Sequence, residues 1–91
     1  MYDYKKHFIL YVDDEEMSLK YFTRVFGDQF RVLTAANATD GLKLLEEHKG
    51  NVSLLMTDQR MPGKNGVWLL EQCRLLDPSI IRVLSTAYSD M

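Results

Sequence analysis

Two adjacent acids, Asp13 and Asp14, follow the apolar run FILYV directly, a third, Asp58, follows VSLLMT, and another run, IIRVL, closes on Ser85-Thr86. A lone Asp behind an apolar run is ordinarily a turn former or a helix cap. Three acids delivered to one place behave differently: they repel one another and push their own pKa values up until a cation neutralises them. An all-oxygen donor set suits a hard divalent ion, and Mg²⁺ is the expected one, since it takes one or two carboxylates and keeps water or phosphate oxygens for the rest. With that charge in place Asp58 becomes a candidate nucleophile toward a phosphoryl group, giving an acyl phosphate, with the Thr86 hydroxyl and loop N–H groups as donors to the equatorial oxygens. In the loop behind Asp58, Pro62 fixes one backbone angle while Gly63 and Gly66 permit turns closed to other residues, so amides and a carbonyl can be held near the ion.

Such chemistry needs the acids to meet, and the order of elements arranges it. Residues 8–12 and 52–57 read as short strands buried on both faces, residues 30–35 as another, and residues 80–84 as a fourth. Between Glu16 and Phe26, residues Leu19, Phe22 and Phe26 recur at helical spacing with Gly27 as a C-terminal glycine stop, and Asn37 caps a helix carrying Leu42 and Leu45 that ends at Gly50. Leu69, Cys73 and Leu76 mark a third helix over residues 67–76, stopped at Asp77-Pro78 because a residue before proline avoids the α region. Strict alternation of strand and helix predicts an α/β fold, a doubly wound parallel sheet with helices on both faces. Ligands bind such sheets beyond the carboxyl ends of the strands, where all the acids stand.

Composition removes several alternatives. The 91 residues bound a single small domain, and the formal charge of −2, with acids and bases interleaved, lacks the basic stripe that would hold a nucleic-acid backbone. No run approaches the roughly eighteen apolar residues of a membrane span. The start turns acidic where a signal peptide would offer small residues, so a cytoplasmic location is expected. Cys73, the single cysteine, is read as a reduced core thiol, and His7 and His48, without ligand spacing, as surface or rim residues.

FILYVDDEE, LLMTDQRMPGKNG and RVLSTAYSD together resemble the receiver domain of bacterial two-component response regulators, and the resemblance runs over all 91 residues. It implies a flavodoxin-like (CheY-like) sheet of strand order 2-1-3-4, with the first strand between the second and third. It further implies that Asp58 is the phosphoacceptor, Asp14 a direct Mg²⁺ ligand, Asp13 a ligand largely through water, and Arg60 a ligand through its backbone carbonyl. Thr86 would be the hydroxyl that turns toward the phosphoryl group and couples it to the domain surface. A sensor histidine kinase is the implied phosphodonor and a covalently linked output domain the implied target, with phosphorelay signalling rather than enzyme catalysis as the role.

Receivers continue past this point through a helix, a fifth strand and a last helix, so the chain is expected to be the N-terminal part of the domain. The family's fifth-strand lysine has no counterpart here, and Lys64, on the wrong element, is read as a solvated charge. A bare fourth-strand edge and exposed Tyr21, Phe22 or Val25 on the first helix would then favour self-association. A pseudo-receiver, an interaction module without phosphotransfer, is the alternative. An aspartyl hydrolase would want an acid two residues after the nucleophile, where Arg60 stands.

Overall fold

The computed structural model describes residues 6–85, and within them the elements run β1 (Phe8–Val12), α1 (Glu16–Phe26), β2 (Arg31–Ala35), α2 (Ala38–Glu47), β3 (Val52–Asp58), α3 (Gly66–Leu76) and β4 (Ile81–Ser85). The strands form one parallel sheet, as expected from the alternating pattern, in the order β2-β1-β3-β4 that the resemblance implies. In a parallel ladder, paired residues point to the same face, so the register sorts the side chains. Leu10 pairs with Leu33 and Leu55, and Val12 with Ala35 and Thr57, giving rows on one face. Tyr11 pairs with Thr34 and Met56 on the other.

The first face carries the core. Helices α2 and α3 pack on it and on each other, and Leu10, Val12, Leu45, Leu55, Leu69 and Cys73 are sealed between the layers. Gly41 of α2 sits so near Val12 that a Cβ would meet a Val12 methyl at 2.9 Å, which lets the helix lie close on β1. On the opposite face α1 packs over β1 and β2 and has no fully buried residue: Phe22 stacks on Tyr11 at 4.4 Å between ring centroids, while Met17, Tyr21 and Val25 are exposed. Among the described residues β4 is an outer strand, and its Ile81 is exposed.

Local sequence explains most boundaries. Asn37 caps α2 by accepting from Asp40 N at 2.8 Å, and Asn65 caps α3 by accepting from Trp68 N at 2.9 Å. That second cap makes Gly66 the first helical residue, one earlier than the periodicity predicts. Gly50 ends the α2 turn with φ +92°, the left-handed conformation expected of a glycine stop. Gly27 does not work that way: its φ is −67° and its N–H continues the helical pattern to Thr23 O at 2.7 Å. Phe30 belongs to the same turn, bonded to Phe26 O, which moves the start of β2 to Arg31. Asp77 is extended before Pro78, as expected, and its Oδ1 accepts from Ser79 N and Oγ. His7 shares a hydrogen bond with Ser53 Oγ at 2.9 Å, and the His48 ring leans on Phe8. Both are half-buried rim residues.

Cys73 is fully buried, and burial pushes its thiol above the ordinary 9.0, with Asp77 adding to the effect and Arg82 opposing it. A disulfide thiol reagent at pH 8 is expected to label Cys73 in the folded chain at least about a hundredfold more slowly than in denaturant, because access requires opening of the core. Equal rates would remove Cys73 from the core.

Candidate functional site

Strand β1 ends at Val12 and strand β3 at Asp58, and their parallel pairing through Val12↔Thr57 sets the next residues of β1 beside the end of β3. Asp13, Asp14 and Asp58 consequently each offer a carboxylate oxygen within 4.8 Å of one another. Their surroundings differ. Asp13 is buried at 7% exposure, its Oδ2 accepting from Tyr11 OH at 2.7 Å and its Oδ1 from Glu15 N at 3.0 Å. Asp14 is exposed and Asp58 half-buried. Thr57, fully buried beside Val12, donates its hydroxyl to Asp58 O at 2.9 Å and so fixes the backbone from which the Asp58 side chain projects.

The Asp58 carboxyl is raised above its ordinary 3.8, first by burial and then by the charge of Asp13, with Asp14 contributing. The N–H groups of Gln59 and Arg60 pull the other way, that of Gln59 bonding Asp58 Oδ1 at 2.9 Å. Burial and repulsion together thus exceed what the two backbone donors offset. A set of carboxylate oxygens of this kind, one buried and oriented, one half-buried and one open to solvent, fits a hard divalent ion that retains part of its water shell.

The loop behind Asp58 is shaped by two glycines. Gly63 adopts φ +82°, which other residues rarely reach. Gly66 is buried, and a Cβ there would collide with the carbonyl oxygen of Asp58, so α3 begins in direct contact with the end of β3. Arg60 is exposed on this loop. Lys64 is exposed too, as expected of a solvated charge, but its Nζ also sits 5.4 Å from the centre of the Trp68 ring. Thr86 lies outside the described residues.

Two neighbours escaped the sequence reading. Tyr11 reads as a strand residue, although its position two before Asp13 sets both on one side of the strand and within reach. Gln59 is the other: its Oε1 accepts from Val67 N at 2.9 Å across the loop. The sequence holds a weak signal for it, a polar residue immediately behind the strand-terminal acid.

Comparison with known proteins agrees with this architecture. The chain is 38% identical over 86 residues to the hydrogenase transcriptional regulatory protein HoxA of Cupriavidus necator, an alignment covering 94% of this chain and 17% of HoxA. It therefore spans about a sixth of that relative's length. Among solved structures, a response regulator receiver domain protein from Clostridium thermocellum superposes with a TM-score of 0.81 at 28% identity, covering 86% of this chain and 63% of that one. The receiver domain of the hybrid histidine kinase CckA does so with a TM-score of 0.79 at 31% identity, over 85% of this chain and 72% of the other. No helix among the described residues is long and apolar enough to cross a membrane. The response regulator receiver domain family matches residues 9–91, and with the sheet order, the helix placement and the relatives in agreement, the chain belongs to that family of two-component signalling domains.

Proposed function

We propose that this domain accepts a phosphoryl group from a sensor histidine kinase onto Asp58, in a Mg²⁺-dependent reaction, and passes the change to a covalently linked output domain. The observation that carries the reading is the convergence of Asp13, Asp14 and Asp58 within 4.8 Å around a strand end built to hold Asp58 in place. In this reading residues 1–91 are one unit of a receiver, its strands β1 to β4, working in the cytoplasm. Self-association of these residues through the exposed side chains of α1 and the outer strand belongs to the same proposal.

A carboxylate oxygen of Asp58 attacks phosphorus in line, the O–P bond forms, and the N–P bond of the donor phosphohistidine breaks, with the departing imidazole taking a proton from solvent. Backbone N–H groups of Gln59 and Arg60 keep the carboxylate aimed. Mg²⁺ would be held by Asp14 directly, by Asp13 largely through water, by Asp58 and by the Arg60 carbonyl, and supplies positive charge for the phosphoryl oxygens when bound. Tyr11 keeps Asp13 in the orientation this requires. Thr86 is the hydroxyl that turns to the phosphoryl group and relays its presence. The domain assists its own phosphorylation and dephosphorylation and is not otherwise an enzyme.

Incubation with acetyl phosphate and Mg²⁺, followed by intact-mass measurement, should add one phosphoryl group to the protein and none to Asp58→Asn. Labelling that survives in Asp58→Asn refutes the assignment. Failure of the wild-type protein to label with the cation present favours the interaction module without phosphotransfer.

A further inference from the structure

We infer that Gln59 is a positioning residue: its side-chain bond to the first turn of α3 holds the phosphoacceptor loop in shape and thereby sets how tightly the acid cluster binds a divalent cation. The inference rests on the proposed cation site and goes beyond it to a residue that touches neither cation nor phosphoryl group. Three groups of Gln59 are engaged at once. Its N–H donates to Asp58 Oδ1 at 2.9 Å, its carbonyl accepts from Gly66 N at 3.2 Å, and its Oε1 accepts from Val67 N at 2.9 Å.

The opening N–H groups of a helix have no partner within it, and Gln59 takes those of Gly66 and Val67 at the start of α3 while the Asn65 side chain takes the next, from Trp68. One residue therefore clasps both ends of the loop 60–65 and grips the Asp58 carboxylate with its own amide. Arg60, whose N–H also reaches that carboxylate, lies inside the clasp. Removing Oε1 leaves the longer Gly66 bond as the remaining tie between Gln59 and α3, so the orientation of residues 58–60 loosens. The bond is solvent-exposed, so its loss opens no void in the core. A residue that merely capped a helix would change stability without changing cation affinity at equal folded population.

The test uses the full chain, wild type, Gln59→Leu and Gln59→Glu, with NMR amide exchange in metal-free buffer, Mg²⁺ titration followed by Trp68 fluorescence, and thermal unfolding. Leucine keeps the bulk without an acceptor, whereas glutamate keeps an acceptor for Val67 N. In Gln59→Leu the amides of residue 59 and Gly66 should exchange about fivefold faster, and Mg²⁺ Kd should rise about fivefold, the scale of one ordinary hydrogen bond. Sheet amides and Tm should stay near wild type, and Gln59→Glu should restore slow exchange. Unchanged exchange at residue 59 and Gly66 overturns the inference whatever the metal does. Faster exchange with Mg²⁺ affinity within about twofold of wild type, less than a typical hydrogen bond supplies, reduces Gln59 to a cap and also overturns it. Failure of the wild-type chain to bind Mg²⁺, with normal exchange, overturns the cation reading and this inference together, and is thereby told apart from the other two.

Discussion

Leu55→Ala is expected to lower the unfolding free energy by about 3 kcal/mol, within the range for truncating a sealed leucine. For a domain of this size that is a fall in Tm of roughly 12–24 °C. Leu55 is fully buried at the middle of β3, side by side with Leu10 of β1 and among the residues sealed under α2 and α3. Leu55 lies on the face that α2 and α3 cover together, so neither helix can settle into the space without moving the other elements that contact it. Leu75 supplies the control, because 63% of it is exposed on α3 and its truncation should change stability by less than about 0.5 kcal/mol. Urea or thermal unfolding of the three proteins measures the difference. A loss below about 1 kcal/mol for Leu55→Ala would mean that the core repacks freely around β3, contrary to the close-packed interior on which the site depends.

The same rigidity explains how much could be read from residues alone. Phe8–Val12 and Glu16–Phe26 have the spans that their apolar runs and helical spacing predict, because the deciding information is local. The meeting of Asp13, Asp14 and Asp58 also follows without coordinates: parallel strands deliver their carboxyl ends to one edge. What periodicity could not supply is contact made across loops. The start of α3 at Gly66 depends on Asn65 capping it and on Gln59 holding Val67 N, a partner eight residues along the chain. The Tyr11 hydroxyl bond to Asp13 is invisible because an aromatic in an apolar run is expected to serve packing alone. Gly27 looked like a left-handed stop, yet its helical φ shows that the turn after α1 continues to Phe30 before the chain extends. Composition signals a glycine but not the sign of its φ.

Magnesium should act on stability in a way that depends on Asp58. At free Mg²⁺ about 100 times its Kd, binding to the folded state alone adds about 2.7 kcal/mol. In Tm that is roughly 10–20 °C. The physical source is the crowding of negative charge, which together with burial, the larger cause, also holds the Asp58 carboxyl above its ordinary 3.8 in metal-free buffer. A folded value raised in this way contributes stability that is fully present below 3.8 and is lost as pH rises through the folded value, so at neutral pH the ionised group works against the fold. Asp58→Asn should therefore be slightly more stable than wild type at pH 7 without metal, by about 0.5 kcal/mol for half-exposed charges screened by solvent. That advantage should vanish near pH 3, where the wild-type carboxyl is protonated. Adding Mg²⁺ should reverse the order, since the variant lacks the third carboxylate and the repulsion that a bound cation would relieve. NaCl at matched ionic strength separates specific binding from general screening, which reaches only about 10 Å at 0.1 M. Equal stabilisation of wild type and Asp58→Asn by Mg²⁺, or a sodium salt doing as well, would show that the three carboxylates do not act as one site.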